Sequence, residues 1–314
     1  MIRYLGRRSV RLVLVFLLVT MATMLLLSLT PGDPAYLIAG ETAPPKVVQS
    51  VREEYGLDEP VYERYADWIG NIAQGDFGRS YFTKQPVIDA IRQRLPVTLE
   101  LALLAQLIVA ITVIPLGLYT AYRSGGWLDR TMTVVSSAFV SVPPFVLALL
   151  LVTVFGLSLG WLPVSGWVPL TQDPWENLQH AILPATVLAV AEIVVLQPVL
   201  RADAMTTLQQ EYITLARVKG VSHRRILFRH TLRASSISLV TLMGLSLARL
   251  FGGTLIVESI YALPGIGTLL INSINSKDFI MLQGVVTFIA LVYLVVNFIV
   301  DILYSKLDPR LSVQ

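Results

Sequence analysis

The chain has 314 residues, of which 54% are hydrophobic and 14% charged, and its mean hydropathy is +0.67. This composition lies far from that of a soluble domain of similar length and predicts an all-α integral membrane protein. Cysteine is absent and there are three histidines, which excludes disulfides and argues against a metal cluster. The sequence pI near 9.1 could indicate nucleic-acid binding, but membrane topology explains the basic residues more simply.

Four arginines within residues 1–11 precede an apolar run from Leu12 to Leu29. A cleavable signal peptide is the alternative interpretation. The run is long for a signal peptide, no A-x-A site follows it, and Pro31 stands where processing would occur. We predict an uncleaved first span with a cytoplasmic N-terminus.

Residues 30–95 are polar, with seven Lys/Arg against ten acids, a balance that suits the extracytoplasmic side. Pro45 and Pro60 stand where helices could start, and Gly56 and Gly75 where they could end. Apolar residues recur between them at helical spacing, which predicts two short amphipathic helices. Their apolar faces could pack on the spans or receive a partner, and both alternatives remain open.

Three further apolar runs follow. The second span is predicted at about Pro96–Tyr122, the third ends near Gly160, and the fourth is predicted at about His180–Leu200. Pro143-Pro144 should kink the third span. The loop of residues 161–179 has no Lys/Arg but three tryptophans, as is typical of the outer membrane interface.

A basic stretch, Arg201–Arg233, then holds seven Lys/Arg against two acids. An excess of positive charge close to span ends marks the cytoplasmic side. The sequence favours helix on both sides of Gly220, so we predict a helix, a glycine turn and a second helix. A solvated basic loop with no further role is the alternative.

The fifth span is predicted at about Ala234–Val257 and the sixth at about Phe279–Tyr304. Six spans with both termini cytoplasmic place 15 Lys/Arg inside and 8 outside, and most outside positives lie in one long segment where charge has little influence. The predicted division is an N-terminal span with an extracytoplasmic segment, residues 1–95, and a core of five spans with the loop 201–233, residues 96–314.

Several motifs occur in an order that is similar to one known family. They are PGDP (Pro31–Pro34), YGLDEPVYERYADWI (Tyr55–Ile69), GDFGRS (Gly75–Ser80), EYITLARVKGVSHRRILFRHTLR (Glu211–Arg233) and GGTLIVESIYALPGIG (Gly252–Gly267), with Lys277-Asp278 beyond it. Through nearly its whole length the chain resembles the ABC-importer permeases of the dipeptide, oligopeptide, nickel and glutathione group. The resemblance implies a multi-pass subunit of the bacterial inner membrane.

In that family the basic stretch contains the "EAA" loop, whose coupling helix docks in a groove of the ATPase subunit. The EAA element falls on residues 214–216, of which only Ala216 keeps the family residue, and the family's glycine falls on Gly220. The residues to which the resemblance assigns ATPase coupling are Glu211, Ala216, Gly220, Arg224 and Arg225.

The resemblance further implies a second similar permease, two ATPase chains and an extracytoplasmic substrate-binding protein. A Walker A loop ends in Lys followed by Ser or Thr, and none of the five lysines here has that neighbour. We therefore expect no cofactor and no catalysis in this chain, with ATP and Mg bound by the partner ATPases. The substrate is not readable, since peptides, nickel chelates and glutathione are all carried in the group.

Two charged residues lie inside predicted spans, Glu192 in the fourth and Arg249 in the fifth. Such residues usually face the bundle interior, where they pair or line a path. Arg249 shares a helix face with Ser246 and Gly253, which could equally serve helix packing. Glu192, Arg249, Ser246 and Gly253 are thus candidates for a translocation path or an intramembrane pair. An ion-coupled secondary transporter using the two charges is the alternative function.

Overall fold

The structure, a computed structural model, describes residues 2–29, 33–40 and 42–307. These residues fold into helices without a β-strand, apart from one isolated bridge between Arg79 and Pro86. The helices are α1 (Ile2–Ser28), α2 (Pro34–Ala39), α3 (Pro45–Glu54), α4 (Val61–Ala73), α5 (Val87–Tyr122), α6 (Trp127–Val140), α7 (Pro144–Leu151), α8 (Pro174–Leu208), α9 (Glu211–Val218), α10 (His223–Arg225), α11 (Leu232–Ile260), α12 (Ile266–Asn275) and α13 (Phe279–Leu307). The prediction of an all-α membrane protein is confirmed.

Within the described residues, five helical segments are long and apolar enough to cross a membrane. They are Arg8–Ser28, Val87–Tyr122, Pro174–Leu208, His223–Ile260 and Phe279–Ile302. A sixth is present only if α6 and the helix that begins at Pro144 form one broken span. The predicted six spans and cytoplasmic termini therefore remain predictions at this level of detail.

The break between α6 and α7 lies at the predicted proline pair. Pro144 begins α7 at a position where its missing N–H is not needed, and Pro143 is extended with φ −59° and ψ 141°. The two helices differ in direction by 105°, a much larger change than a simple kink. After Leu151 the helix continues in π-helical geometry over Val152–Ser158.

The fourth apolar helix is longer than the predicted His180–Leu200. Asp173 caps it by accepting hydrogen bonds from the backbone N–H groups of Trp175 (2.9 Å) and Glu176 (3.0 Å), so the helix begins at Pro174. It continues past Leu200 to Leu208. The helix extends beyond the predicted span because polarity marks where a membrane ends, whereas capping groups mark where a helix ends.

The described chain divides into two compact units. The first combines the chain up to Pro96 with Gly265–Leu294, and the second combines Val97–Pro264 with the chain from Val295 onward. In the second unit, α8 and α11 pack around a buried core that includes Leu188, Leu196 and Leu239.

The two predicted amphipathic helices of the first unit are present as α3 and α4. The Tyr65 hydroxyl of α4 lies 2.8 Å from Thr20 Oγ1 and donates to the carbonyl of Leu17 (3.0 Å), both in α1. One face of α4 therefore packs on the first apolar helix. Val48 of α3 is buried, and α3 packs on the short helix α2, which sequence analysis did not predict.

A buried hydrogen bond closes the first unit across the sequence. Ser80, the last residue of the GDFGRS motif, donates through Oγ to Asp278 Oδ2, and both residues are buried. The other carboxylate oxygen of Asp278 accepts from the N–H of Met281 (3.2 Å) at the start of α13. Pro31 and Gly32 of the PGDP motif lie outside the described residues.

Candidate functional site

The predicted turn at Gly220 is present and has the geometry of a Schellman motif. After α9 ends, the N–H of Gly220 donates to the carbonyl of Arg217 (3.0 Å), and the N–H of Val221 donates to the carbonyl of Ala216 (3.1 Å). Gly220 has φ +75°, a left-handed conformation that side chains disfavour. Ala216 and Gly220 are therefore two parts of a single backbone turn.

One side of α9 packs against the rest of the second unit. Ile213 is fully buried in a cluster with Leu118 of α5, Leu208 of α8 and Leu227 of the segment after α10. Burying one isoleucine side chain contributes about 1.5–3 kcal/mol. This anchor fixes α9 against the ends of three other helical segments.

The opposite side of α9 carries a row of exposed apolar side chains. Tyr212, Leu215 and Val218 recur at a spacing of three residues and are 48%, 54% and 80% exposed. Residues three apart lie on one helix face. An anchored helix whose outer face carries large exposed apolar side chains has the properties of a docking element.

The charged candidates surround this row. Glu211 is the first residue of α9, and Arg224 and Arg225 lie in the single turn α10 that follows Gly220. All three are exposed, and none forms an ion pair within the described part of the chain. Their charges are therefore available to a partner.

Sequence analysis missed an ion pair that joins α8 to α6. Arg201 of α8 forms a bidentate ion pair with Asp129 of α6, with Nε–Oδ1 at 2.5 Å and Nη2–Oδ2 at 2.7 Å. Asp129 is 5% exposed and also accepts from the N–H of Gly125 (2.8 Å). In addition, the Tyr122 hydroxyl lies 2.7 Å from His223 Nδ1 at the start of α10. The only sequence signal for this ion pair is the acidic residue Asp129 in the first turn of a helix. Acidic residues are common at that position, so the signal is weak.

The structure brings Glu192 and Arg249 together. Arg249 Nη2 of α11 lies 3.3 Å from Glu192 Oε2 of α8, and Ser246 lies one turn earlier on α11. A residue absent from the sequence candidates, Gln106 of α5, donates to Ser246 Oγ (2.6 Å). These four side chains form an intramembrane polar cluster in the second unit. Gly253 lies one turn beyond Arg249, is exposed, and touches none of them.

Exposure differs sharply across the ion pair. The Glu192 side chain is 11% exposed, whereas the Arg249 side chain is 54% exposed. A charged group half-way along an apolar helix is costly against lipid, so such residues face a protein interior or an aqueous path. Arg249 therefore marks a helix face that is not directed at lipid.

The GGTLIVESIYALPGIG motif also has a structural role that the sequence did not define. Glu258 is fully buried and accepts a hydrogen bond from Thr98 Oγ1 of α5 (2.6 Å). The Tyr261 hydroxyl donates to the carbonyl of Ala148 in α7 (3.3 Å), and its carbonyl accepts from the N–H of Gly166 (3.3 Å). The motif thus ties the end of α11 to three other segments of the second unit.

The described residues contain no group of three or more His, Asp or Glu side chains that could hold a metal ion. What they offer instead is a basic surface with an apolar docking row and a polar cluster between apolar helices. This combination is typical of a transport subunit that is driven by a partner.

Comparison with known proteins agrees with this class. Residues 113–313 match the family described as the binding-protein-dependent transport system inner membrane component, and residues 1–102 match its N-terminal family. The chain belongs to this family: it is a permease subunit of an ABC importer in the bacterial inner membrane. It is not the catalytic subunit, and the predictions of family, function and location are confirmed.

Its relatives are named as transport permeases. It is 40% identical to a putative peptide transport system permease protein of Brucella abortus, over 97% of both chains. It is 36% identical to a probable peptide ABC transporter permease protein of Sinorhizobium fredii over 98% of both. It is 35% identical to the glutathione transport system permease protein GsiC of Escherichia coli over 99% of both. None of these findings supports the alternative of a secondary transporter.

Proposed function

We propose that the chain imports peptides or peptide-like solutes such as glutathione, as one of two similar permeases joined to two ATPase chains and an extracytoplasmic binding protein. Membership of a binding-protein-dependent family supports ATPase and binding-protein partners in general. The names of relatives support peptides as the substrate class. ATP and Mg are bound by the ATPases, and this chain needs no cofactor.

The observation that carries the coupling role is the exposed apolar row of α9 on a helix whose other side is buried. Tyr212, Leu215 and Val218 can enter a groove of the ATPase while Ile213 holds α9 to the membrane part. The Gly220 turn sets the angle at which the chain leaves α9. Glu211, Arg224 and Arg225 supply charge around the docked row.

The connections of α9 to its neighbouring helices can transmit movement of α9. α9 follows α8 after only Gln209 and Gln210, and the chain returns into α11 through α10 and a π-helical segment, Ile226–Thr231. Movement of α9 by the ATPase is therefore passed to α8 and α11, the two helices that hold Glu192 and Arg249. The polar cluster lies where such movement would open or close a path for solute.

The proposed function includes a topology of six spans with cytoplasmic termini, in which α6 and α7 form one broken span. Discontinuous helices at membrane depth are found where they line a cavity or are covered by protein. This assignment places the basic loop with the ATPases and the segment between α1 and α5 with the binding protein.

Site-directed crosslinking of the assembled importer tests this function. Leu215→Cys in α9 should crosslink to the ATPase subunit, and a control cysteine at exposed Leu170, in the loop before α8, should not. ATP-dependent peptide uptake into vesicles should require the binding protein. Two results together would exclude the proposal. They are reaction of Leu215→Cys only with reagents dissolved in the lipid, and uptake that does not depend on ATP.

A further inference from the structure

The first unit contains a cavity of about 480 Å³ that plays no part in the proposed coupling. Its wall is built from the end of α1 at Met24 and Ser28, the turn between α3 and α4 at Tyr55, and the start of α13 at Phe279. A volume of this size accommodates a small ligand or a lipid headgroup.

Two hydrogen-bond donors in this wall have no acceptor. Gln283 Nε2 and Trp68 Nε1 are both buried atoms without a hydrogen-bond partner among the described residues. Gln283 is 6% exposed as a whole, so water does not solvate it from outside. Buried donors are normally paired, and an unpaired one commonly indicates a missing ligand or water.

A third donor, the Tyr81 hydroxyl, faces the same cavity. Burial raises the pKa of Tyr81 to about 12, and the positive charge of Arg64, also in the wall, acts against this rise. The hydroxyl thus stays protonated at neutral pH. Together these groups form the part of the wall that suits an oxyanion.

The rest of the wall is acidic. Five carboxylates face one guanidinium, that of Arg64, and none of the five forms an ion pair within the described chain. The carboxylates are Glu53, Glu54, Glu59, Asp67 and Asp76. This excess of negative charge favours an ammonium group, so the same cavity carries groups that suit a cation as well as donors that suit an anion.

The position of the cavity favours a lipid over a soluble zwitterion. It lies at the end of an apolar helix, the level at which headgroups lie in a bilayer. Beside it, Leu25, Leu26 and Leu29 of α1 are 45%, 68% and 77% exposed, which provides a surface for acyl chains.

We propose that this cavity binds the headgroup of an aminophospholipid such as phosphatidylethanolamine. Its phosphate oxygens accept hydrogen bonds from Gln283 and Trp68, and its ammonium group donates to Glu53 and Glu54. Phosphatidylcholine has no N–H to donate, and phosphatidylglycerol has no cation. Both should bind more weakly for these separate reasons.

The test uses the complete importer, purified and depleted of lipid, then mixed with equal amounts of dioleoyl phosphatidylethanolamine, phosphatidylcholine and phosphatidylglycerol. Native mass spectrometry measures which lipid is retained. We expect about tenfold enrichment of phosphatidylethanolamine, the size of effect given by one charge-assisted hydrogen bond. Gln283→Leu and the double variant Glu53→Gln/Glu54→Gln should each abolish most of it.

The double variant changes only exposed side chains, so it keeps the test informative if Gln283→Leu does not fold. Glu63→Gln/Asp89→Asn is its matched control, because it removes the same charge from the same unit at positions that do not line the cavity. Glu63 is exposed, and the Asp89 side chain is 49% exposed and lies 3.8 Å from Arg92. Equal retention of the three lipids, or an unchanged preference in both test variants, overturns the proposal. Displacement of the bound lipid by trialanine, a soluble zwitterion, would also overturn it and assign the cavity to peptides.

Discussion

Replacing Gly220 with leucine should disrupt coupling far more than the strain in this chain alone requires. Gly220 has φ +75°, and a Cβ at this position would meet no atom within 4 Å. Leucine and alanine therefore share the same backbone strain, about 1 kcal/mol for a side chain in the left-handed region. That cost lowers the equilibrium constant for forming the correct turn by about fivefold. Any larger effect of leucine must come from contact with a partner.

Gly75 provides a matched control. It has φ +86°, also has open space at Cβ, and ends α4 with the same pair of hydrogen bonds, from Gly75 to Ile72 (2.9 Å) and from Asp76 to Asn71 (3.0 Å). The backbone strain of Gly75→Leu thus equals that of Gly220→Leu. In the proposed topology Gly75 lies on the other side of the membrane from the ATPase.

The assay is ATP hydrolysis and solute uptake by the importer in vesicles, together with the amount of ATPase retained on purification. Gly220→Ala should reduce ATPase retention by at most about fivefold, from the strain alone. Gly220→Leu should reduce it further or leave hydrolysis uncoupled from uptake, while Gly75→Leu should leave both activities intact. Equal behaviour of Gly220→Leu and Gly220→Ala would refute docking at this turn, as would wild-type uptake by Gly220→Leu.

Three other predictions concern topology and the two ion pairs. A single cysteine at exposed Lys46 should react with an impermeant thiol reagent in intact cells, and one at exposed Ser222 only after permeabilisation. Glu192→Gln should lower the free energy of unfolding by about 1 kcal/mol, since its partner Arg249 is half exposed, and replacing both with glutamine should restore it, as measured by thermal denaturation. Asp129→Asn should cost about 2 kcal/mol in the same measurement, because it breaks a buried bidentate pair.

Two controls accompany these predictions, one for the labelling and one for the stability measurements. Thr171→Cys should label like Lys46→Cys, and labelling of Ser222→Cys from outside would invert the topology. Glu176→Gln removes a charge from an exposed position of α8 and should leave stability unchanged within about 0.5 kcal/mol. If Glu192→Gln is as stable as the wild type but changes which solutes are carried, the pair lines the path and has no role in stability.

Sequence predicted the glycine turn after α9 well because its signals are local. A glycine after a helix-forming segment specifies a Schellman turn without help from the rest of the chain, as Gly220 shows. Prolines provide signals of the same local kind. They stand at the beginnings of α3 and α4 and at the Pro143-Pro144 break. The 105° change of direction was not predicted, because proline fixes where a helix stops and the packing of neighbours fixes where the next one goes.

The polar contacts between helices could not be predicted. Gln106 and Ser246 are 140 residues apart, and nothing in the spacing of either indicates that they meet. Glu258 lies near the end of an apolar run, where an acid is expected to face water, but Thr98 holds it in a fully buried position. Helix α12 was missed for another reason: at ten residues it is too short to stand out beside a proline-glycine turn.

The hydrogen bond between Ser80 and Asp278 has a consequence for synthesis. Its partners are 198 residues apart, and the first unit also takes Gly265–Leu294 from late in the chain. At about 5–20 residues per second, roughly 10–40 s pass between the emergence of the two partners from the ribosome. During this interval the buried site of Ser80 has no acceptor, while the residues of the second unit up to Pro264 are already available. The first part of the chain to be made therefore waits for a partner that is made late, and a chain that ends before Asp278 should leave the first unit open to proteolysis.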